Sequence, residues 1–384
     1  MVTRPVVTRP VATGRRPVSA APPARLVGLG SAVPGAMDQQ ELWDDFFAAH
    51  FARPDGTPDP RAARIWRSAG VRTRHGVVDP RVEDVTGWTT GQRMRRFVTE
   101  AVPLGKGAVS GALDAAGVDP VEVGMFAVAS CTGYATPGLD IVLARDLGMQ
   151  DDVARLAIGH MGCYAALPGL TTVADTARAR GLPGVLLCAE LTCLHAQPTL
   201  DTSARAGLEQ LVAHALFADA AAAAVVLPGG GPGLPAGLEI LDSAVHTDVE
   251  SAALMSWEVT DTGFRMGLSP RVPSVLARIV RPVVDGLLDR NGATVDDVAG
   301  WAVHPGGPAI LDVVADRCGL ADDALDASRA VLAEFGNCSS ATVLMVTDRM
   351  LATREFAEGD LVVLLAFGPG LTLHTVLTRW SGAT

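Results

Sequence analysis

From about residue 120 onward, short runs dominated by apolar residues alternate with longer amphipathic stretches. Segments 124–130, 154–158, 184–189 and 221–227 read as strands, most of them apolar at every position, as strands covered on both faces must be. The intervening 139–147, 163–180 and 205–216 carry the helical period. The cluster Pro228-Gly-Gly-Gly-Pro-Gly-Leu-Pro is the clearest punctuation in the chain. Beyond it the rhythm returns: strand 238–245, helix 273–291, strand 299–303, helices 309–317 and 339–354, and two strands flanking Phe367-Gly-Pro-Gly-Leu.

Ahead of this region the pattern predicts a strand at 26–29 ending in Gly30. A helix follows over 39–51, with Leu42, Phe46, Phe47 and Phe51 as its apolar positions, then a basic one over 61–69. A long helix over 92–116 should be interrupted at Pro103. The organisation expected is a tail at 1–24, an N-terminal half at 25–228, a Gly/Pro linker at 229–236 and a C-terminal half at 237–384. The fold class is α/β, with two similar halves facing each other around buried, mixed sheets.

Hydrophobic residues make up 48% of the 384, enough for a large core. A net charge of −11 argues against a nucleic-acid surface. Lys106 is the only lysine, so any phosphate must be met by arginine forks. The six cysteines show no CxxC pair and no zinc spacing, which predicts no metal and a reducing, cytosolic location. The apolar stretch at 220–227 is too short to cross a bilayer. Residues 1–24 repeat Val-Thr-Arg-Pro-Val and lack the apolar core of a secretory signal. Their basic, acid-free composition suits a transit peptide, but the prolines oppose its amphipathic helix, so a disordered tail is expected.

Three distant segments each present one reactive side chain among small residues. They are Gly159-His-Met-Gly-Cys-Tyr-Ala-Ala, Trp301-Ala-Val-His-Pro-Gly-Gly-Pro and Glu334-Phe-Gly-Asn-Cys-Ser-Ser-Ala. Cys163 sits between a predicted strand and helix, where amides and the helix dipole lower a thiol pKa by about a unit or more. His304 ends a strand and is followed by Pro-Gly-Gly, which delays the next helix and places an imidazole at a sheet edge. Each has a plainer reading: Cys163 as a small core residue, His304 as an ordinary polar group, Asn337 as a helix cap or turn residue. Together they suit acyl transfer through a thioester, with Cys163 as nucleophile and His304 and Asn337 as donors to a developing oxyanion.

On His304-Pro-Gly-Gly-Pro-Ala-Ile-Leu-Asp, Gly336-Asn-Cys-Ser-Ser-Ala, Leu216-Phe-Ala-Asp-Ala-Ala and Phe367-Gly-Pro-Gly-Leu-Thr, the chain resembles the chalcone and stilbene synthase family of type III polyketide synthases. With Cys163 the resemblance spans residue 25 to the C-terminus. It implies a homodimer of thiolase-like, five-layered αβαβα subunits. Cys163 would accept a starter acyl group from coenzyme A, and His304 and Asn337 would stabilise the enolate left by decarboxylation of malonyl-CoA or a branched analogue. A Cys⁻/HisH⁺ pair would keep the nucleophile ionised. No cofactor is implied, and an acyl carrier protein is an alternative starter donor.

By the same resemblance Phe217 is a gatekeeper between the CoA tunnel and the cavity, and the second gatekeeper position falls on Met266, which is not aromatic. Trp257 falls where many relatives have glycine, so its indole should shrink the cavity and favour few extensions and an α-pyrone or small phenol. Thr132, Thr192 and Ser339 are expected at the cavity wall, with His195 against the intermediate. Arg61, Arg64 and Arg67 are expected on CoA phosphates, with Ser68 at a position basic in relatives and Gly306 and Ala309 also at the CoA site. The rival readings are a β-ketoacyl-ACP synthase III-like enzyme, a dihydroxyphenylacetyl-CoA synthase and a non-enzymatic acyl-binding scaffold.

Overall fold

The structure is a computed structural model and describes residues 22–53, 55–197 and 205–384. Most of the expected tail therefore lies outside the described residues. The strands are β1 (Arg25–Ala32), β2 (Ala36–Asp38), β3 (Thr73–His75), β4 (Met125–Ala129), β5 (Ala154–Ile158), β6 (Gly184–Leu191), β7 (Asp219–Leu227), β8 (Gly237–Thr247), β9 (Met255–Thr260), β10 (Gly263–Leu268), β11 (Val298–Val303), β12 (Leu361–Gly368) and β13 (Thr372–Ser381).

Nine of them form one sheet in the order β11-β12-β13-β8-β1-β7-β6-β4-β5. Outward from β1 the pairings are antiparallel to β7, antiparallel to β6 and parallel to β4. Outward from β8 they are antiparallel to β13, antiparallel to β12 and parallel to β11. The same order on both sides is the mark of two similar halves. They join where β1 meets β8, through Arg25↔Glu239 and Leu26↔Leu238, with the Arg25 guanidinium 3.1 Å from the Glu239 carboxylate.

Alternation within each strand then builds the layers. In β6, Leu186 and Cys188 face a central cluster, while Val185, Leu187 and Ala189 face the long helix Thr90–Ala116. In β12, Val362, Leu364 and Ala366 face the same central cluster, while Val363, Leu365 and Phe367 face the helices Val272–Asp289 and Pro308–Cys318. Between the two halves of the sheet lie the helices Ala166–Arg180 and Ala341–Thr353, the second buried at every position from Ala341 to Thr347. Helix, sheet, helix pair, sheet and helix give the five-layered thiolase-like arrangement. The alanine run Ala220–Ala224 in β7 is the sequence cause of its thin centre, because methyl-sized side chains let both layers approach.

Pro103 does not interrupt its helix, which runs unbroken from Thr90 to Ala116. A Thr89/Gln92 capping box starts it, Gly117 ends it, and burial of Phe97, Ala101, Ala108, Val109 and Ala112 outweighs the one lost N–H. The strand expected to end at Gly30 instead continues to Ala32. The hairpin of β9 and β10, the helix Asp326–Phe335 and the short β2–β3 pair carry weaker periodic signals and are visible only in the structure. A side lobe packs Trp43, Phe47, Phe51 and Trp66 against the end of helix Arg205–Leu216.

At Gly30 β1 lies directly against the long helix: an added Cβ would lie 2.5 Å from Ala108 O and 2.5 Å from Ala112 N. Backbone cannot yield as a flexible side chain would. Gly30→Ala should therefore destabilise the protein by about 1–3 kcal/mol, read as a lower urea midpoint. A midpoint equal to wild type would show that β1 and the long helix separate freely.

Candidate active site

Cys163 lies in a 3₁₀ turn, Gly162–Tyr164, between β5 and the central helix Ala166–Arg180. His160 at φ 49° and Gly162 at φ 70° make the reversal, and a Cβ on Gly162 would come 2.8 Å from Pro369. The Gly368-Pro369-Gly370 loop thus roofs the nucleophile. The thiol is buried, which pushes its pKa up to about 12. Hydrogen bonds from Ser339 and Asn337 pull it down only in part, and the Glu190 carboxylate raises it further.

His304 follows β11, its amide donating to Leu365 O at 2.7 Å and its ring edge-on to Phe367 at 5.7 Å. The imidazole is wholly buried and neither ring nitrogen has a hydrogen-bond partner. Burial lowers its pKa to about 3. Both shifts run against the expected Cys⁻/HisH⁺ pair, because desolvation favours neutral thiol and neutral imidazole. Two orphaned buried nitrogens facing a cavity are groups awaiting a ligand.

Asn337 is not a helix cap, since the next helix starts at Ala341. Its backbone is tied to the gate segment: its N–H donates to Leu216 O at 2.8 Å, Ala218 N–H donates to its carbonyl at 3.0 Å, and Phe217 and Asn337 form a parallel bridge. Its Oδ1 accepts from Ser339 N–H at 2.9 Å, which leaves the carboxamide N–H groups for the cavity. The helix end before Phe217 is itself clamped. Arg74 donates to His214 O at 2.6 Å and Ala215 O at 2.8 Å, and Gln39 donates to Ala215 O at 3.0 Å.

Cys163, His304 and Asn337 line one cavity of about 870 Å³, with Phe217 and Met266 at its inner end. Beyond these two residues is a chamber of only about 30 Å³, bordered by Cys163, Cys131, Thr132, Thr192, Trp257 and Ser339. Trp257 fills the space, its indole N–H donating to Cys131 O at 2.7 Å. It pairs with Met266 across the β9–β10 hairpin. His195 holds backbone through both ring nitrogens. Its Nδ1 accepts from Phe264 N–H at 3.0 Å, so its Nε2–H donates to Thr132 O at 2.6 Å, and the ring stacks on Phe264. It is a neutral brace for the hairpin.

Glu190 is the member that the motif reading passed over. Buried beneath the chamber, its carboxyl accepts from Thr132 Oγ1 at 2.8 Å, Ser340 Oγ at 2.5 Å and Cys131 N–H at 3.1 Å. Burial raises its pKa against those hydrogen bonds. A lone Glu at the end of an apolar strand was the available signal. Of the CoA candidates, Arg61, Ser68, Gly306 and Ala309 line the large cavity. Arg64 and Arg67 are exposed on the helix Pro60–Arg67 and do not line it, because the helical turn aims them elsewhere. Arg271, just ahead of helix Val272–Asp289, lines it and was missed.

The fold and this Cys/His/Asn set define a thiolase-like condensing enzyme. Residues 11–232 and 241–381 match the N-terminal and C-terminal domains of chalcone and stilbene synthases. The chain is 36% identical over 322 residues, 83% of each protein, to the 1,3,6,8-tetrahydroxynaphthalene synthase of Streptomyces peucetius. It is 31% identical to a 3,5-dihydroxyphenylacetyl-CoA synthase of Streptomyces toyocaensis, over 94% of this chain and 90% of that one. The crystal structure of 1,3,6,8-tetrahydroxynaphthalene synthase from Streptomyces coelicolor superposes with a TM-score of 0.85 at 28% identity, covering 94% of this chain and all of that one. The chain belongs to the chalcone and stilbene synthase family: it is a type III polyketide synthase, an acyltransferase working by decarboxylative Claisen condensation. Among the described residues, no helix is long and apolar enough to cross a membrane.

A thiol whose pKa is raised is protonated throughout neutral pH. Alkylation of Cys163 by iodoacetamide, followed by intact mass, should therefore speed up about tenfold per pH unit between pH 7 and 10. A rate already flat at pH 7 would reveal a resident ion pair.

Proposed function

We propose that Cys163 carries the starter acyl group and that His304 and Asn337 hold the enolate formed from malonyl-CoA. One observation carries this reading: the thiol, the unpartnered imidazole and the Asn337 carboxamide, which hydrogen-bonds the thiol, line the same cavity. In loading, the Cys163 sulfur attacks the starter's thioester carbonyl as its proton passes to His304. The carbon–sulfur bond to CoA breaks, and the CoA thiolate leaves with a proton. In extension, the electron pair of the bond to CO₂ moves into the malonyl thioester, placing negative charge on its oxygen between His304 Nε2–H and Asn337 Nδ2–H. The enolate carbon then attacks the acyl carbon on Cys163, and the thiolate departs.

Dry surroundings strengthen both donors, since each acts where water does not compete. Ordinary thioester and enolate chemistry suffices, so no cofactor is invoked. Arg61 and Arg271 at the cavity mouth suit CoA phosphates. The small chamber behind Trp257 and Met266 favours few extensions and a compact ring such as an α-pyrone. Work as a homodimer in the cytosol completes the reading.

His304→Ala and Asn337→Ala should each lower CO₂ release from malonyl-CoA by roughly 10²–10³-fold. Cys163→Ala should show no acyl mass after incubation with acyl-CoA. Decarboxylation unchanged in both donor variants would remove the proposed roles. With Cys163→Ala, CO₂ release should stay flat between pH 5 and 9, because the lowered pKa of His304, about 3, keeps it neutral down to far more acid conditions. Trp257→Gly should lengthen the product by at least one extension unit in mass spectrometry. Products that keep CoA would instead favour a dihydroxyphenylacetyl-CoA-type synthase.

A further inference from the structure

Phe217 and Asn337 meet in an isolated bridge, not in a longer ladder, so their register needs support from elsewhere. The two segments are in direct contact: a Cβ on Gly336 would stand 3.0 Å from Leu216 O and 3.0 Å from Ala218 Cβ. We propose that residues 72–77, centred on Arg74, are a splint that positions the Asn337 carboxamide for decarboxylation. The inference rests on the donor role given above to Asn337 and adds a positioning residue that acts through it.

One flank is the chain before Phe217. The last carbonyls of a helix have no partner within it and carry the negative end of its dipole. At the end of Arg205–Leu216 three successive ones are shared out. Arg74 Nη1 donates to His214 O at 2.6 Å and Nη2 to Ala215 O at 2.8 Å, while Leu216 O accepts from the Asn337 N–H at 2.8 Å. Gln39 adds a second bond to Ala215 O at 3.0 Å. Just past Phe217, Asp219 Oδ2 accepts from the Val77 N–H at 3.0 Å. The other flank is the chain before Asn337. Alternation along β3 turns the neighbours of Arg74 the opposite way. The Arg72 N–H donates to Ala333 O at 2.8 Å, and the His75 ring stacks on Phe335 with centroids 5.3 Å apart. One strand thus holds both sides of the bridge.

The identity of Arg74 fits that task. It is buried, lies over the Trp66 ring at 4.9 Å, and donates its three hydrogen bonds to neutral acceptors, Gln39 Oε1 and the two carbonyls. Burial lowers its pKa to about 10, so it is charged at neutral pH. A buried cation held by dipoles alone is costly, and what it gives in return is direction. The planar fork spans three acceptors in fixed geometry, which the point charge of a lysine ammonium does not.

The test measures kcat and KM for CO₂ release from malonyl-CoA in Arg74→Met, Arg74→Lys and Gln39→Leu. Each is made in wild type and in Asn337→Ala, with urea midpoints taken alongside. Because misplacing a reacting group by about 1 Å costs on the order of 10²-fold, Arg74→Met should lower kcat about tenfold or more and leave KM within about threefold. Arg74→Lys and Gln39→Leu keep part of the hydrogen bonding and should lower kcat less. In Asn337→Ala there is no carboxamide to position, so the same substitutions should change kcat by less than about twofold. A splint that merely supports the fold would cost the same in both backgrounds. Equal losses in the two, a rise in KM at unchanged kcat, or full activity in all folded variants overturns the splint and leaves the donor role standing. If Arg74→Met does not fold, the two milder variants decide by the same comparison. Wild-type CO₂ release from Asn337→Ala overturns the donor role, and the splint with it.

Discussion

Everything at the active site follows from a pair of helices whose first turns are buried in the central layer. Ala166–Arg180 and Ala341–Thr353 are sandwiched between the two halves of the sheet, and water reaches only positions further along them, such as Thr172, Asp175, Asp348 and Ala352. The turn ahead of the first carries Cys163, and the turn ahead of the second carries Asn337 and Ser339. Both turns open on the same cavity, so the reacting groups inherit the dryness of the central layer. Backbone there is forced into tight reversals. His160 and Ser339 adopt left-handed conformations, uncommon for residues with side chains, on either side of the reaction centre.

Dryness sets the electrostatics. It pushes the Cys163 thiol and the His304 imidazole toward their neutral forms. The same low dielectric makes an uncharged donor effective once negative charge appears on a thioester oxygen. A resting ion pair would be costly in this place, whereas charge that arises and vanishes within a step meets donors already aimed at it. Glu190, buried and held by Thr132, Ser340 and the Cys131 amide, belongs to the same scheme of polar groups satisfied inside a dry layer.

Phe217 and Asn337 are also one mechanical unit. Phe217 is bridged to Asn337 through the backbone, and the helix end before it is clamped by Arg74 and Gln39. A shift of the Phe217 segment therefore moves the Asn337 carboxamide that lines the cavity. Trp257, packed edge-on against His195 and Phe264, and Met266 opposite it across the hairpin set one wall of the chamber. Chamber size in this way depends on the hairpin's packing as well as on the turns that carry Cys163 and Ser339.

The repeated alternation of strands and helices, the Gly/Pro punctuation and the Cys163, His304 and Asn337 segments were all legible from residue order, because period, turn chemistry and small-residue settings are local signals. Several things were not. Pro103 looked like a break because its cost is local, while the burial that overrides it is spread over both flanks of the helix. Arg64 and Arg67 looked equivalent to Arg61, and only the orientation of a short helix separates them. His195 looked like a substrate contact until both nitrogens were seen to hold backbone. The sequence by itself determined the alternating α/β fold and pointed to Cys163, His304 and Asn337, which the structure places on one cavity. Tertiary structure alone decided protonation, cavity size and which arginines reach the mouth, because desolvation and direction depend on atoms far apart in the chain.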